Sequence, residues 1–316
     1  MMPTSDNIAV VVIGRNEGQR LEESLRSIRQ SSERIVYVDS GSTDGSPEAA
    51  ERLGARVHRL SADRPFSAAR GRNEGFALAT EIWPTVRYVQ FVDGDCTLDP
   101  AWLAAGAAHL EEHEDVAVVT GRNRERFPEA SVYNALCDIE WDGPLGDQAA
   151  CGGNAMYRAA PFAAAGGFDA SVKAGEEPEL CLRLRREGFR IVRIGHEMTV
   201  HDADMHRFGE WWKRAVRSGT AYCTGALMHG RGPERYNVRE TLRAVIWGGI
   251  LPAVALVALF GAPLLTLGIL ALYAVKLLRI GLRHRGRIDR PFRYGAFMIL
   301  LNIAEFVGVT KCLARR

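Results

Sequence analysis

Two periodicities of apolar positions follow each other at the start of the chain and predict a β-α-β unit. Residues 8–13 form an almost continuous apolar run, as expected of a strand that is covered on both faces. Leu21, Leu25 and Ile28 then recur at helical spacing, and residues 35–38 form a second short apolar run. Because consecutive parallel strands need a crossover connection, this pattern predicts an α/β domain with a parallel sheet.

The same pattern continues to a fourth strand that ends in two carboxylates. The elements before it are predicted as a helix, a weak strand and a helix, at residues 47–53, 55–60 and 68–79. Residues 88–92 are apolar except for Gln90 and are mostly β-branched or aromatic, and they stop at Asp93-Gly94-Asp95. An ordinary Asp-Gly turn would also explain this tripeptide. Since α/β sheets bind ligands at the carboxyl ends of their strands, the two aspartates could also meet a divalent cation and a diphosphate there.

The second half of the α/β region adds a glycine-rich stretch and an acidic helix start. Further strands are predicted at residues 116–121 and 189–194. In residues 151–157, Gly153 and its neighbours would allow the backbone to approach a ligand closely. Glu176 and Glu177 precede Pro178, which suits the first helical position. Acidic residues commonly favour the positive end of a helix, but a carboxylate beside a glycine hinge is also well placed to take a proton.

The end of the chain is apolar in longer blocks. Residues 244–275 carry no charge, and as one helix they would be about 48 Å long against a hydrocarbon core of about 30 Å. A break at residues 261–263, Gly-Ala-Pro, predicts a helical hairpin or two interfacial helices. Residues 294–309 contain Glu305 and are predicted to lie in the interface or to pack on the hairpin. The alternative is a buried helical subdomain of a soluble protein.

Charge divides the chain at the same place. The net charge is +2, but residues 235–316 hold 13 Lys or Arg and three acids, net +10, which leaves 27 against 35, net −8, for residues 1–234. The apolar content of this basic tail favours membrane lipids, and not nucleic acid, as its partner. Seven Lys or Arg and one acid lie between residues 276 and 293, and Arg235, Arg239 and Arg243 precede the apolar run. The positive-inside rule therefore places both flanks of the hairpin in the cytoplasm.

Cysteine usage and the N-terminus agree with a cytoplasmic location. The six cysteines form no C-x-x-C pair and no zinc-type spacing, which favours reduced thiols. Residues 1–7 are polar, without a basic-then-apolar leader. The expectation is a protein of the inner (cytoplasmic) membrane whose α/β domain faces the cytoplasm. Its predicted parts are the α/β domain, amphipathic connecting helices and C-terminal hydrophobic helices, at residues 1–205, 206–240 and 241–316.

Five segments of the chain occur in the order and rough spacing of family 2 glycosyltransferases. They are VVVIGRNE at 10–17, VDSGSTDG at 38–45, ARGRNEG at 69–75, DGD at 93–95 and EEPEL at 176–180. Over about residues 8–220 the chain therefore resembles this family. The resemblance implies a Rossmann-like GT-A fold with a mostly parallel sheet and inverting transfer of a sugar. The implied partners are a nucleotide-sugar donor, normally UDP-linked, and a glycan or lipid-linked acceptor.

The resemblance also implies which residues contact the nucleotide sugar: Asn16, Glu17, Asp39, Arg70, Asn73 and Asp93. Asp39 matches the family aspartate that accepts a hydrogen bond from the nucleotide base, although an Asx turn that opens the loop would explain it as well. Arg70 and Asn73 match the segment that faces the nucleotide and its phosphates. A guanidinium group suits phosphate oxygens because it can donate two parallel hydrogen bonds, although a surface salt bridge is the alternative.

The implied metal and base residues lie further along. Asp93 and Asp95 match the family's metal motif, with Mg²⁺ or Mn²⁺ as the implied cofactor and the second aspartate as the usual direct ligand. His201 follows at a distance at which several related enzymes place another metal ligand. Glu177 matches the general base that takes the proton from the acceptor hydroxyl, with Glu where the family more often has Asp. Glu176 is the second candidate for this role.

An acceptor or diphosphate side is predicted from Gly153, Arg214 and Arg217. Residues 211–217 loosely resemble the Trp- and Arg-bearing acceptor segment of membrane-bound relatives. Arg214 and Arg217 share one helical face and could bind a diphosphate or a lipid phosphate. An amphipathic docking helix is the alternative.

Two other functions remain open at the level of sequence. A sugar-phosphate nucleotidyltransferase would normally carry a Gly-rich signature with Arg and Lys after its first strand, which residues 14–17 lack, and it would release pyrophosphate. A catalytically inactive membrane scaffold or glycan-sensing protein would bind a nucleotide sugar without transferring it.

Overall fold

The computed structural model describes residues 7–315 and divides the chain into two compact units, Met1–Asp204 and Met205–Arg316. Residues 1–6, which carry most of the prediction about a missing leader, lie outside the described residues. The same is true of Arg316, the last cation of the basic tail.

The described part of the first unit is an α/β domain built on a nine-stranded sheet. Its strands are β1 (Ile8–Gly14), β2 (Ile35–Asp39), β3 (Arg56–Arg59), β4 (Tyr88–Asp93), β5 (Cys96–Leu98), β6 (Val116–Glu125), β7 (Gly146–Asp147), β8 (Ala155–Arg158) and β9 (Arg190–His201). Its helices are α1 (Gln19–Arg29), α2 (Ser46–Arg52), α3 (Ala68–Ile82), α4 (Trp102–Glu112), α5 (Val132–Trp141), α6 (Ala159–Ala164) and α7 (Glu176–Arg186).

The strand order is β3-β2-β1-β4-β8-β6-β9-β5, and β7 pairs with β9. The first four strands pair in parallel through helical crossovers, as predicted. β8 is antiparallel to both of its neighbours, and the short β5 and β7 are antiparallel to β9. The predicted α/β class is confirmed, and the sheet is mixed. The sequence did not predict β5, β7 and β8, since runs of two to four residues carry little apolar pattern.

Helices cover both faces of the sheet, which explains the continuous apolar runs of its central strands. Val10 and Val12 of β1 pack on one face with residues of α1 and α4, whereas Ala9 and Val11 pack on the other face with residues of α3, α6 and α7. All four side chains are fully buried. Alternate residues of a strand point to opposite faces, so a strand buried on both sides has no polar face to show.

The strand register gathers several polar loops at one edge of this sheet. Ile13 of β1 pairs with Asp93 of β4, and Gly14 pairs with Asp39 of β2, so the loops that follow these three strands are neighbours. β5 then pairs antiparallel with β9 and sets Cys96 opposite His201. The chain therefore returns to the same edge after about a hundred residues, and Asp95 and His201 become neighbours there.

The second unit is helical. Its helices are α8 (Phe208–His229), α9 (Val238–Ala244), a π-helical turn (Val245–Ile250), α10 (Leu251–Gly261), α11 (Pro263–Arg283) and α12 (Pro291–Ala314). Within residues 7–315, three helical stretches are long and apolar enough to cross a membrane, at Val238–Gly261, Pro263–Arg283 and Pro291–Ala314. The predicted break at residues 261–263 is confirmed. The last helix, Pro291–Ala314, extends beyond the predicted residues 294–309 at both ends. Its earlier start is explained by Pro291, which suits the first helical position.

Two glycines bring α8 and α12 into close backbone contact. A Cβ atom on Gly219 would collide with the carbonyl oxygen of Glu305, and one on Gly308 would collide with the carbonyl oxygen of Val216. The hydroxyl of Thr220 donates a 3.2 Å hydrogen bond to the carbonyl oxygen of Gly308. Small residues at a crossing are typical of helices that pack within a membrane.

Candidate active site at the strand ends

One buried arginine joins the carboxylates of two separate motifs. Nη2 of Arg72 donates a 2.9 Å hydrogen bond to Oδ1 of Asp93, and Nη1 donates to Oε1 of Glu176 at 2.9 Å and of Glu177 at 3.0 Å. Arg72 is 3% exposed, and its guanidinium lies 5.7 Å from the ring centroid of Phe168. The three carboxylates therefore lie within the span of a single guanidinium group.

Tight packing of α3 on the sheet positions this arginine. Ser67 caps the helix by accepting a 3.2 Å hydrogen bond from the N–H of Arg70, so α3 begins at Ala68 and Arg72 falls in its second turn. Gly75 lets the helix approach β1, because a Cβ atom there would collide with Val11. Close packing to the strand leaves the Arg72 side chain little freedom to turn away from the carboxylates.

The helix that carries Glu176 and Glu177 begins earlier than its sequence predicts. Gly175 has a φ of 84°, a left-handed conformation that favours glycine, and α7 starts at Glu176. Pro178 is therefore the third helical residue and not the first, since the glycine turn starts the helix. Both glutamates consequently stand in the first turn, where the positive end of the helix dipole favours their charges.

The environment of Glu177 suits a general base. Burial raises the pKa of Glu177 to about 7, against the opposing charge of Arg72 and with a further contribution from Glu176. At neutral pH the carboxyl group is therefore divided between its protonated and ionised forms. A base with a pKa near the working pH can accept a proton and release it again.

Asp95 and His201 form a second polar pair at the same edge of the sheet. Nε2 of His201 lies 3.1 Å from Oδ2 of Asp95, and the imidazole stacks on the indole of Trp141 with centroids 4.7 Å apart. Burial opposes protonation of His201, but the hydrogen bond to Asp95 and the charge of this carboxylate outweigh burial and raise the pKa of the imidazole. Trp141 fixes the plane of the ring and was absent from the predicted site.

The donor atoms around Asp95 fit a divalent cation. Asp95, Cys96 and His201 offer one ligand atom each, and these atoms lie within 4.8 Å of one another. Burial and the neighbouring carboxylates raise the pKa of the Cys96 thiol well above its usual range, so this sulfur stays protonated. The remaining pair is a carboxylate oxygen and an imidazole nitrogen, a combination that suits Mn²⁺ better than Mg²⁺.

Asp93 contacts Arg72, and two residues of the glycine-rich stretch adjoin it: Asn154 binds its backbone, and Gly153 leaves space for its side chain. The backbone N–H of Asp93 donates a 2.9 Å hydrogen bond to Oδ1 of Asn154. A Cβ atom on Gly153 would lie 2.9 Å from Oδ2 of Asp93 and would collide with the guanidinium of Arg72. Gly153 thus makes room for side chains of the same unit. Asn154 was not predicted, and its burial beside a motif is visible only in the fold.

The loops after β1 and β2 are bound to each other on the predicted nucleotide side. Oδ2 of Asp39 accepts hydrogen bonds of 2.9 Å from the N–H groups of Gly41 and Ser42, so the Asx turn is formed. Asn16, at a φ of 57°, accepts a 2.7 Å hydrogen bond from the N–H of Thr43 and donates its own N–H to the Ser42 hydroxyl. The base contact of Asp39 stays a prediction.

Glu17 adjoins the turn that carries the two aspartates. A Cβ atom on Gly94 would lie 3.1 Å from its Cγ, and its carboxylate accepts a 2.8 Å hydrogen bond from Arg20. Burial, followed by the charge of Asp95, raises the pKa of Glu17. The structure therefore brings the loops of β1, β2 and β4 together, as their positions in the sequence predict.

The predicted pair Arg70 and Asn73 is already engaged by the protein. Nε of Arg70 donates a 2.7 Å hydrogen bond to Glu74, and Nη1 donates to two carbonyl oxygens of the preceding loop. Both ends of the Asn73 amide bind the backbone of Phe168, at 2.7 and 2.9 Å. Their phosphate contacts stay predictions, whereas Arg72, which was not predicted, is the arginine of this segment that reaches the carboxylates.

Arg214 and Arg217 belong to the second unit. They stand three residues apart on α8, Arg214 partly buried and Arg217 exposed. This spacing places them on one helical face, as predicted. Their role toward an acceptor stays a prediction.

Comparison with known proteins finds similarity to glycosyltransferases in the first unit. The model of the family "Glycosyl transferase family 2" matches residues 9–164. The succinoglycan biosynthesis protein ExoA of Rhizobium meliloti is 29% identical over 205 residues, which are 60% of this chain and 61% of that protein. The pre-mycofactocin glycosyltransferase of Mycobacterium tuberculosis is 26% identical over 272 residues, 81% of this chain and 54% of that protein. The chain thus spans less than two thirds of the length of these relatives.

Solved structures share the fold. The mannosyltransferase PcManGT from Pyrobaculum calidifontis, solved in complex with GDP-Man and Mn²⁺, superposes with a TM-score of 0.68 at 20% identity. The match covers 98% of this chain and 88% of that one. The predicted GT-A architecture, followed by C-terminal apolar helices, is therefore confirmed.

Proposed function

Residues 9–164 match the model of the family "Glycosyl transferase family 2", and from this match we propose that the chain transfers a sugar from a nucleotide-diphosphate donor to an acceptor hydroxyl. One observation carries the proposal. Arg72 holds Asp93, from the motif at the end of β4, and Glu177, from the start of α7, on the same guanidinium group. The carboxylate proposed to contact the donor and the candidate base are therefore held next to each other by Arg72.

In the proposed reaction, Glu177 takes the proton of the acceptor hydroxyl while the acceptor oxygen attacks the anomeric carbon. The bond between this carbon and the diphosphate oxygen breaks, and the nucleoside diphosphate leaves with the electron pair. Attack from the side opposite the leaving group inverts the configuration. Arg72 positions Glu177 and offsets part of the negative charge of its carboxylate before the substrate binds.

Asp95 and His201 are the residues that would hold Mg²⁺ or Mn²⁺ in this proposal. A bound divalent cation would offset the negative charge that develops on the departing diphosphate. Asp93, whose carboxylate is fixed by Arg72, is left to contact the sugar or the ribose of the donor.

The donor is inferred from the sequence motifs and from a structural neighbour, and the acceptor from the membrane location. A UDP-sugar is the first candidate from the sequence motifs, and PcManGT, with GDP-Man in its complex, makes a GDP-sugar the second. Three apolar helices and a basic tail support a membrane location, and the positive-inside rule supports the cytoplasmic face of the inner membrane. The acceptor in the proposal is accordingly a glycan or lipid-linked glycan presented at this surface.

Loss of the metal tests the proposal directly. In membranes that contain the full chain, release of nucleoside diphosphate should require Mn²⁺ or Mg²⁺ and should fall to background with a chelator. Asp95→Asn should lower the rate by about 100-fold, because a neutral amide binds the cation poorly. Asp115→Asn removes an exposed carboxylate of the same unit and should leave the rate unchanged.

Three results would contradict the proposal in different ways. Turnover that a chelator does not change would rule out the metal role of Asp95. Release of pyrophosphate in place of a nucleoside diphosphate would identify a nucleotidyltransferase. Binding of a nucleotide sugar with neither hydrolysis nor transfer would identify a scaffold or sensor.

A further inference from the structure

A lysine lies in the apolar part of the second unit without a carboxylate to pair with. Lys276 stands on α11, and no acidic group of residues 7–315 reaches ion-pair distance from its ammonium. Its Nζ lies 3.9 Å from the ring centroid of Trp247. The indole is itself held by Tyr273, whose ring packs edge-on at 5.5 Å and whose hydroxyl donates to the Trp247 carbonyl oxygen. The aromatic pair thus holds the ammonium in one place.

A second cation lies one turn before Trp247. Nη2 of Arg243 donates to both carboxylate oxygens of Glu305, at 2.8 and 2.7 Å. Glu305 is 1% exposed, whereas the Arg243 side chain is 41% exposed. One nitrogen therefore satisfies the acid, and the remaining donors of the guanidinium stay available. Glu305, and Glu240 on the same helix as Arg243, partly offset the charge of Arg243, and among residues 7–315 neither acid lies within ion-pair distance of Lys276.

The surroundings of these cations match the border between lipid tails and head groups. Lys276 precedes the end of α11 at Arg283 by seven residues, about 10 Å of helix, and Arg243 follows the start of α9 by five residues. Nearby side chains on the same helices are apolar and largely exposed: Leu242, Ile246, Leu272 and Val275. A cation at this depth is costly unless an anion accompanies it.

We propose that Lys276 and the exposed side of Arg243 bind the phosphate group of an anionic membrane lipid. The ammonium and guanidinium groups donate to the phosphate oxygens, and the acyl chains lie against the exposed apolar side chains. The apolar requirement selects a lipid phosphate over free phosphate. This site lies wholly in the second unit and does not rest on the proposed sugar transfer.

Thermal unfolding of the full chain in mixed micelles tests this site. Added dioleoylphosphatidylglycerol should raise the unfolding temperature of the wild type, whereas dioleoylphosphatidylcholine or inorganic phosphate should not. Lys276→Met keeps the length of the side chain but removes its charge. It should raise the phosphatidylglycerol concentration needed for half of the shift at least five-fold. Lys276→Arg, which keeps a cation, should behave like the wild type.

Arg287→Met is the matched control, because it removes one exposed cation from the loop after α11. It should keep the full response to phosphatidylglycerol. Equal shifts with phosphatidylcholine, a shift with inorganic phosphate alone, or an undiminished response in Lys276→Met would each overturn the proposal. Should Lys276→Met fail to fold, Lys276→Gln, which also removes the charge, tests the same point, and an undiminished response to phosphatidylglycerol in that variant would overturn the proposal.

Discussion

Glu177→Gln should reduce sugar transfer by about 10²- to 10⁴-fold while donor binding stays close to that of the wild type. Glutamine has the shape of glutamate and can still accept a hydrogen bond from Arg72, but it cannot take a proton from an acceptor hydroxyl. The measurement is incorporation of labelled sugar by membranes that contain the full chain, with donor affinity determined in parallel.

The pH profile separates a lost base from a disturbed fold. Glu177 must be ionised to act, and its pKa is raised to about 7, so the wild-type rate should increase about ten-fold per pH unit below 7 and level off above it. The residual rate of Glu177→Gln should lack this step. Glu187→Gln, just after the same helix, is the control. A Glu177→Gln chain with near-normal transfer would rule out the base assignment and would direct attention to Glu176.

Arg72→Met should produce the largest loss of stability among single changes in the first unit. The substitution removes the buried cation that contacts Asp93, Glu176 and Glu177. Removing one partner of a buried ion pair lowers the free energy of unfolding by about 3–5 kcal/mol, because the other charge is left buried and unpaired. Transfer should be lost as well, since both Glu177, the proposed base, and Asp93, proposed to contact the donor, lose their position. Thermal unfolding of the full chain measures the first effect.

The pH dependence of this loss has a definite sign. Without Arg72, the pKa of Glu177 in the folded chain should rise further, because the arginine is the charge that opposes the rise. A carboxyl group whose folded pKa exceeds its unfolded value contributes most stability below the unfolded pKa and loses it as the pH rises through the folded pKa. The loss of stability caused by Arg72→Met should therefore be larger at pH 8 than at pH 5. Arg190→Met removes an exposed arginine and should change little; an Arg72→Met chain as stable as the wild type at pH 8 would contradict the role of Arg72.

Most of the parallel part of the sheet could be predicted from the sequence because its strands are buried on both faces. Residues 8–13 and 35–38 are continuous apolar runs, residues 88–92 are apolar except for Gln90, and the fold confirms all three as strands. The aspartates at 93 and 95 stand at the edge of the sheet as their position after the last run predicts. The helix break at residues 261–263 was visible for a similar reason, since glycine and proline interrupt a long uncharged segment.

The remaining parts of the site depend on contacts between distant segments. His201 meets Asp95 only because β5, three residues long, pairs antiparallel with the end of β9. Arg70 and Arg72 stand in one motif, and only the packing of α3 shows that Arg72 points to the carboxylates while Arg70 binds Glu74. The stacking of Trp141 on His201 likewise joins segments that no local pattern connects.

The central claim is that the first unit binds a nucleotide sugar through a divalent cation. Its most direct test is thermal unfolding of the full chain with a panel of UDP- and GDP-sugars, each with Mn²⁺ and with a chelator. At least one donor should raise the unfolding temperature with Mn²⁺ and not with the chelator, and Asp95→Asn should abolish the shift. A panel in which no donor stabilises the chain with Mn²⁺, or in which the shift persists in the chelator, would contradict the claim.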